Sequence, residues 1–292
     1  MNVKKFWNAS AANKLLIAVV ALIWVALAVV FGIYDLEISK FLFNASNPVG
    51  KLVGAFGEIP GIIFGLFALF TFWAGSNFKS KSKRAFVFLG EVVVSTFLFY
   101  YILKLIFNYT NFDFKFNSLL GITLGFVLVL LSLICLYTFK LKYAKFSKKN
   151  YLFAKLGVIL FVVAGAIVEI LKVLWGRMRY EDVVLGVGSF TAWYLPQGIT
   201  GNSSFPSGHA YLGWILIPLF LIFLNKNKIW KWILIAFTTL FGLFISFERI
   251  VAGAHYASDV LFSGGIVVIL FLVLYKKYFL NGSKGKHKSQ VL

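Results

Sequence analysis

Apolar runs recur along the chain, separated mostly by short polar connections. They fall at about Leu15–Tyr34, Ile59–Gly75, Ala85–Phe107, Leu119–Phe139 and Leu152–Trp175, then at about Ala210–Leu224, Ile229–Phe247 and Ser258–Tyr278. About 17–25 apolar residues in a helix suffice to cross the hydrocarbon of a bilayer. The pattern therefore predicts an all-α fold, a polytopic membrane helix bundle of about eight transmembrane helices. The sixth run is short and reaches spanning length only by borrowing residues from Pro206 onward. The first run is longer than a signal-peptide core and lacks a small-x-small cleavage pattern, so it reads as a retained anchor. Residues 1–280 read as a single transmembrane domain. The segment Asp35 to Glu58, which mixes Leu36, Ile38, Phe41 and Leu42 with polar residues, reads as an interfacial amphipathic stretch. The Gly/Ser/Lys-rich tail, 281–292, reads as disordered.

The polar connections carry a sign pattern. Lys4, Lys5 and Lys14 precede the first run, and Lys79, Lys81, Lys83 and Arg84 follow the second. Lys140, Lys142, Lys145, Lys148 and Lys149 follow the fourth, and Lys226, Lys228 and Lys231 the sixth. Lys276, Lys277, Lys284, Lys286 and Lys288 close the chain. Every second connection is basic, so the positive-inside rule predicts both termini in the cytoplasm of a cell-membrane, multi-pass protein.

Composition agrees with the pattern. Of 292 residues, 60% are hydrophobic and 13% charged, with 34 Phe, which excludes a soluble globular domain. The net charge of +19 does not imply nucleic acid, because the lysines sit in short clusters beside spans, where they set orientation and meet anionic headgroups. Cys135 stands alone in an apolar run, which excludes a disulfide framework and a thiolate metal site. No cofactor is expected.

Three stretches carry candidate chemistry, all at the outer face on this topology. Phe205-Pro206-Ser207-Gly208-His209-Ala210 joins a Gly-rich loop to the sixth run, with Pro206 and Ser207 as helix-start residues. Free backbone N–H groups at such a start favour an anion, Gly208 permits close approach, and His209 changes protonation near neutral pH. A helix cap that happens to end in a histidine is the plain alternative. In Glu248-Arg249-Ile250-Val251-Ala252-Gly253-Ala254-His255-Tyr256-Ala257-Ser258-Asp259, Asp259 lies one helical turn beyond His255. A carboxylate there can accept from one ring nitrogen and leave the other free to attack. Arg249 adds a guanidinium shaped for phosphate oxygens. A His–Asp pair that only closes a helix end would look the same. Lys172-Val173-Leu174-Trp175-Gly176-Arg177-Met178-Arg179-Tyr180 marks the exit of the fifth run. There Lys172 reads equally as a snorkelling lysine paired with Glu169. Arg177 and Arg179, on a cation-poor side, hint at a local use. His287 lies in the basic tail and reads as incidental.

Together, Lys-x6-Arg, Pro-Ser-Gly-His and Arg-x5-His-x3-Asp resemble the tripartite signature of the type-2 phosphatidic acid phosphatase superfamily, which includes glucose-6-phosphatase, vanadium haloperoxidases and bacterial acid phosphatases. The resemblance spans Lys172 to Asp259. It implies a membrane-embedded phosphatase domain acting on a lipid phosphate delivered from the outer leaflet. Phosphatidate, phosphatidylglycerol phosphate and polyprenyl pyrophosphate all fit. It implies that Lys172, Arg179 and Arg249, with Ser207 and Gly208, hold the phosphate. His255, oriented by Asp259, would form a phosphohistidine, and His209 would protonate the leaving oxygen and then activate water, without a metal. Three features depart from the family pattern. Tyr180 stands where proline usually follows the arginine, Glu248 stands where serine usually opens the third motif, and two spans exceed the usual six. The same residues also fit a phosphotransferase with a lipid or sugar acceptor, a transporter, or a non-catalytic lipid-phosphate binder.

Overall fold

The computed structural model describes residues 3–110, 118–138, 140–224 and 228–280. The tail 281–292 with His287, and Lys226 in the sixth connection, lie outside the described residues. Eleven α-helices follow one another among the described residues: α1 (Val3–Leu42), α2 (Pro48–Phe56), α3 (Ile59–Gly75), α4 (Lys81–Thr110), α5 (Ser118–Thr138), α6 (Lys140–Lys149), α7 (Tyr151–Trp175), α8 (Tyr180–Val184), α9 (Gly208–Trp214), α10 (Lys228–Val251) and α11 (Ala257–Tyr275). A 3₁₀ stretch, Ile217–Phe223, continues α9, and a π-helical turn, Lys276–Leu280, continues α11.

Among the described residues, six segments are long and apolar enough to cross a membrane: Lys14–Leu42, Pro48–Gly75, Lys81–Tyr109, Tyr151–Val184, Lys228–Val251 and Ala257–Leu280. Two further apolar helices, Leu119–Ile134 and Gly208–Phe223, are shorter. They occupy the fourth and sixth of the eight expected positions. The sixth begins only at Gly208, because Ser207 is its N-cap and Pro206 lies before the cap rather than inside the helix. It then tightens to 3₁₀ geometry around Pro218, whose ring cannot continue the α-helical ladder. The expected interfacial stretch resolves into the end of α1 and the short helix α2. Asn47 caps α2 by accepting from the Val49 N–H at 3.0 Å, and Pro48 follows at the first helical position.

Helix α7 carries the core. Leu156, Leu160, Ala164 and Val168 recur every four residues, share one face and are fully buried. They belong to a cluster with Ile62 and Phe64 of α3, Tyr211 and Leu212 of α9, and Val267 and Phe271 of α11. Outward positions stay apolar, as Leu22, Ile33 and Leu240 do, which suits a surface solvated by lipid rather than water. The C-terminal ends of α7 and α10 and the N-terminal ends of α3, α9 and α11 meet at one end of this bundle, and all three motifs lie there.

Candidate active site

Helix α7 ends at Gly176, which takes the left-handed conformation at φ +50° and returns its N–H to the Lys172 carbonyl at 3.0 Å. This turn sends the chain into Arg177. The loop after α8 folds back onto the same end: Gln197 N–H donates to Trp175 O, Gly198 N–H to Leu174 O, and Ser204 N–H to Arg177 O. Ser204 is thereby delivered to the third motif. Trp175 stacks on Phe205 with ring centroids 5.1 Å apart and donates its indole N–H to the Trp193 carbonyl.

His255 lies in the turn between α10 and α11 and is 3% exposed. Its Nδ1 is 2.6 Å from the Ser204 carbonyl oxygen, an acceptor that fixes the proton on Nδ1. The nearest Asp259 oxygen, Oδ2, is 3.8 Å from Nδ1, an ion-pair distance too long for a hydrogen bond. The expectation that Asp259 accepts directly from the ring is thus corrected: the Ser204 carbonyl does so. Asp259 fails to reach because its own lone pairs are occupied. Oδ2 accepts from Ser204 Oγ at 2.6 Å and from the Tyr256 N–H at 2.8 Å, and Oδ1 from Arg177 Nη1 at 2.5 Å. Asp259 therefore also caps α11 at its third position, and it acts on His255 through Ser204 and through its charge.

Burial, with Arg249 and Arg179 nearby, pushes the His255 imidazole down to about 4, although Asp259 pulls it upward. The ring is neutral at pH 7, and its Nε2 has no hydrogen-bond partner among the described residues. A neutral imidazole with the proton held on Nδ1 exposes its lone pair at Nε2, the form a nucleophile requires. The shift also predicts a pH dependence of stability. Between about pH 6.5, the ordinary histidine value, and about pH 4, the unfolded chain binds more protons at this site than the folded chain. Stability contributed by neutral His255 is therefore present above about 6.5 and lost as pH falls toward 4. From pH 6.5 to 5 the loss reaches about 2 kcal/mol. Unfolding in detergent should show this slope, and His255→Asn should flatten it.

His209, the second residue of α9, lies across the site. Its Nδ1 is 3.0 Å from Glu58 Oε1 and its Nε2 is 3.1 Å from the Gly54 carbonyl oxygen. Ser207 caps α9: its hydroxyl accepts from the Ala210 N–H at 3.2 Å, while its own N–H donates to the Asp259 carbonyl at 3.1 Å. The Ser207 N–H is therefore committed to joining the second motif to the third. The N–H groups of Gly208 and His209, in the first turn, have no intrahelical acceptor.

The cations approach over two glycines. A methyl group on Gly54 would lie 2.8 Å from Arg249 Nη1, and one on Gly208 would lie 2.9 Å from Lys172 Nζ. Absence of a side chain at both positions lets the charges reach the site. Arg249 is buried, and its Nε has no hydrogen-bond partner. Lys172 donates to Glu169 Oε1 at 2.6 Å, as the i, i+3 spacing anticipates. Arg179 is the N-cap residue of α8, half exposed and 3.2 Å from Glu181 Oε1.

Both local departures from the motif pattern have a structural account. The Glu248 carboxylate turns to Asn47, whose Nδ2 donates to it at 2.8 Å, so the acid is neighboured by the cap of α2. Tyr180 opens α8 and packs edge-on against Phe43 and Tyr256 at 5.2 and 6.1 Å, anchoring the turn where a proline would stiffen it.

Several residues here carry roles that the motif reading did not assign, Arg177 among them although its place on a cation-poor side hinted at a local use. Arg177 is fully buried and holds Asp259 on one side and Asp35 of α1 on the other, at 2.9 Å. Its Nη1 also donates to Ser258 Oγ at 2.8 Å and its Nε to the Thr191 carbonyl at 2.8 Å, and the guanidinium lies 4.0 Å from the Tyr256 ring centroid. Asp35 in turn accepts from the Ser258 N–H and hydroxyl. Glu58 accepts from Tyr101 of α4 at 2.6 Å. Each of these acids stands at the edge of an apolar run, and an ionisable group at membrane depth is costly enough to mark it for use.

Beside Tyr101 and Glu169, a cavity of about 280 Å³ opens among α3, α4, α7 and α9, lined otherwise by apolar side chains such as Ile62, Leu98 and Phe161. Among the described residues, no three His, Cys, Asp or Glu side chains gather as a metal site would require.

With this geometry in place, comparison with known proteins gives one match. The family model of the PAP2 superfamily matches residues 152–282, a stretch that contains all three motifs. No curated protein and no solved structure matches the chain.

Proposed function

We propose that this protein is a membrane-embedded phosphatase that hydrolyses a lipid phosphate at the outer face of the cell membrane, through a phosphohistidine on His255. The observation that carries the reading is His255 itself: neutral, its Nδ1 proton committed to Ser204, its Nε2 unpartnered, and Arg249 and Arg179 close enough to act on its charge. Lys172, Arg179 and Arg249 neutralise the phosphate as five-coordinate phosphorus forms, and the α9 start contributes N–H donors. Nε2 attacks phosphorus in line, and His209 delivers a proton to the leaving oxygen. A water that gives its proton back to His209 then releases phosphate. In this reading all eight apolar helices cross the bilayer, both termini are cytoplasmic, and lipid arrives laterally with its chain toward the cavity beside Tyr101 and Glu169. Neighbouring lipids are its other partners, and nucleic acid is not one.

A non-catalytic binder would rest on the two departures at Glu248 and Tyr180, and the Asn47–Glu248 hydrogen bond weakens the first of these grounds. A phosphotransferase would share the site but need an acceptor. Purified protein should release inorganic phosphate from at least one of phosphatidate, phosphatidylglycerol phosphate and polyprenyl pyrophosphate with no acceptor added. Vanadate should inhibit as a mimic of the five-coordinate state, and a chelator should leave the rate unchanged. Anion flux in proteoliposomes without phosphate release would overturn the reading in favour of a transporter.

A further inference from the structure

The histidine assigned to acid/base work is held by residues that no motif contains and that lie outside the matched stretch 152–282. Both oxygens of Glu58 are engaged: Oε1 lies 3.0 Å from His209 Nδ1, and Oε2 accepts from the Tyr101 hydroxyl at 2.6 Å. Glu58, the residue just before α3, is 7% exposed. On the far side of the ring, Nε2 faces the Gly54 carbonyl at 3.1 Å. A neutral imidazole offers one donor and one acceptor, whereas here both nitrogens face acceptors, which matches a ring carrying a proton on each. That is the form a general acid must have before it acts.

We propose that Glu58, itself oriented by Tyr101, is a positioning residue for His209 in protonation of the leaving group. The inference rests on the phosphatase reading above. Glu58 retains the Nδ1 proton and fixes the ring plane, so that Nε2–H is the proton transferred. In the first step the His255 Nε2–phosphorus bond forms as the phosphorus–oxygen bond to the lipid breaks. The bonding pair stays on the leaving oxygen, which takes the Nε2 proton of His209 and departs as an alcohol. In the second step water oxygen bonds to phosphorus and its proton goes to His209 Nε2. The phosphorus–nitrogen pair then returns to His255. The Gly54 carbonyl holds the Nε2 proton until the leaving oxygen replaces it. The other charged and titratable groups around this ring are Tyr101 from α4, Lys172 and Glu169 from α7, and Arg249 from α10. Glu58 is the one carboxylate in contact with it among the described residues.

The role separates from simple structural support by its dependence on the leaving group. A 4-nitrophenolate leaves without a proton, whereas the alkoxide of phosphatidate does not. With the full-length protein in detergent, Glu58→Gln should lower kcat/KM for dioctanoyl phosphatidate about 100-fold, in the usual range of general acid catalysis, and for 4-nitrophenyl phosphate less than about 5-fold. Tyr101→Phe should show the same selectivity with a loss of about 5-fold on phosphatidate. Retained 4-nitrophenyl phosphate hydrolysis certifies the fold of each variant. Equal losses on both substrates, or no loss on phosphatidate, would overturn the positioning role while leaving the phosphatase reading standing. A wild-type protein inert on both would overturn the two together.

Discussion

His255→Asn is expected to lower turnover of a lipid phosphate about 10⁵-fold while the protein remains folded in detergent. Removing the nucleophile of a covalent mechanism removes the whole two-step route, and losses of about 10⁶-fold are known for such groups. Asparagine is the informative replacement because its amide nitrogen can stand near the position of Nδ1 and still donate to the Ser204 carbonyl. Packing at a position 3% exposed is thereby disturbed little. The effect is read from steady-state phosphate release and from the intensity of the eight tryptophans on thermal unfolding. Activity within about tenfold of wild type would remove His255 from the chemistry.

The second large effect falls on stability. Arg177→Met is expected to destabilise the protein by about 3–5 kcal/mol, because it leaves two buried carboxylates without their cation. Arg177 is 1% exposed, and Asp35 and Asp259 are both fully buried. Removing a single partner from a buried ionic group costs more than the group's net contribution, since the remaining charge keeps its desolvation penalty. Pairing Arg177→Met with Asp35→Asn should recover part of the loss, because one of the two orphaned charges disappears. Unfolding in detergent measures the recovery as a coupling energy. The double variant should still be catalytically impaired, because Asp259 loses the contact that turns Oδ1 away from Ser204.

This network explains why some of the site was legible in the sequence and some was not. The periodic apolar runs gave the helices, and the motifs gave His209, His255, Asp259, Lys172, Arg179 and Arg249 as neighbours at one end of the bundle. Those signals are local: a helix period, a cap, a spacing within one turn. The contacts that hold the histidines are not local. Asp35 meets Ser258 across most of the chain, Tyr101 reaches Glu58 from another helix, and Ser204 reaches His255 through a loop hydrogen-bonded to the end of α7 and the turn that follows it. No period records such meetings. The sequence does record the cost, in acids placed at the ends of apolar runs. Asp35 and Glu58 were visible in that sense but had no motif to join. The Asp259 assignment shows the reverse fault. Its spacing from His255 suits a direct hydrogen bond, yet capping of α11 and the clamp by Arg177 and Ser204 occupy its oxygens first. Likewise, Ser207 reads as a phosphate donor from its place in the motif, while its backbone N–H serves to join two motifs.

The claim at the centre of this account is the covalent intermediate on His255. Rapid-quench labelling with a lipid phosphate carrying a radioactive phosphoryl group tests it most directly. A burst of protein-bound label should form within the first turnover, stable in alkali, lost in acid, and recovered on the peptide containing His255. His209→Asn should slow the decay of that label. Turnover of the lipid with no label on the protein at any time, or label recovered on another residue, would contradict the account.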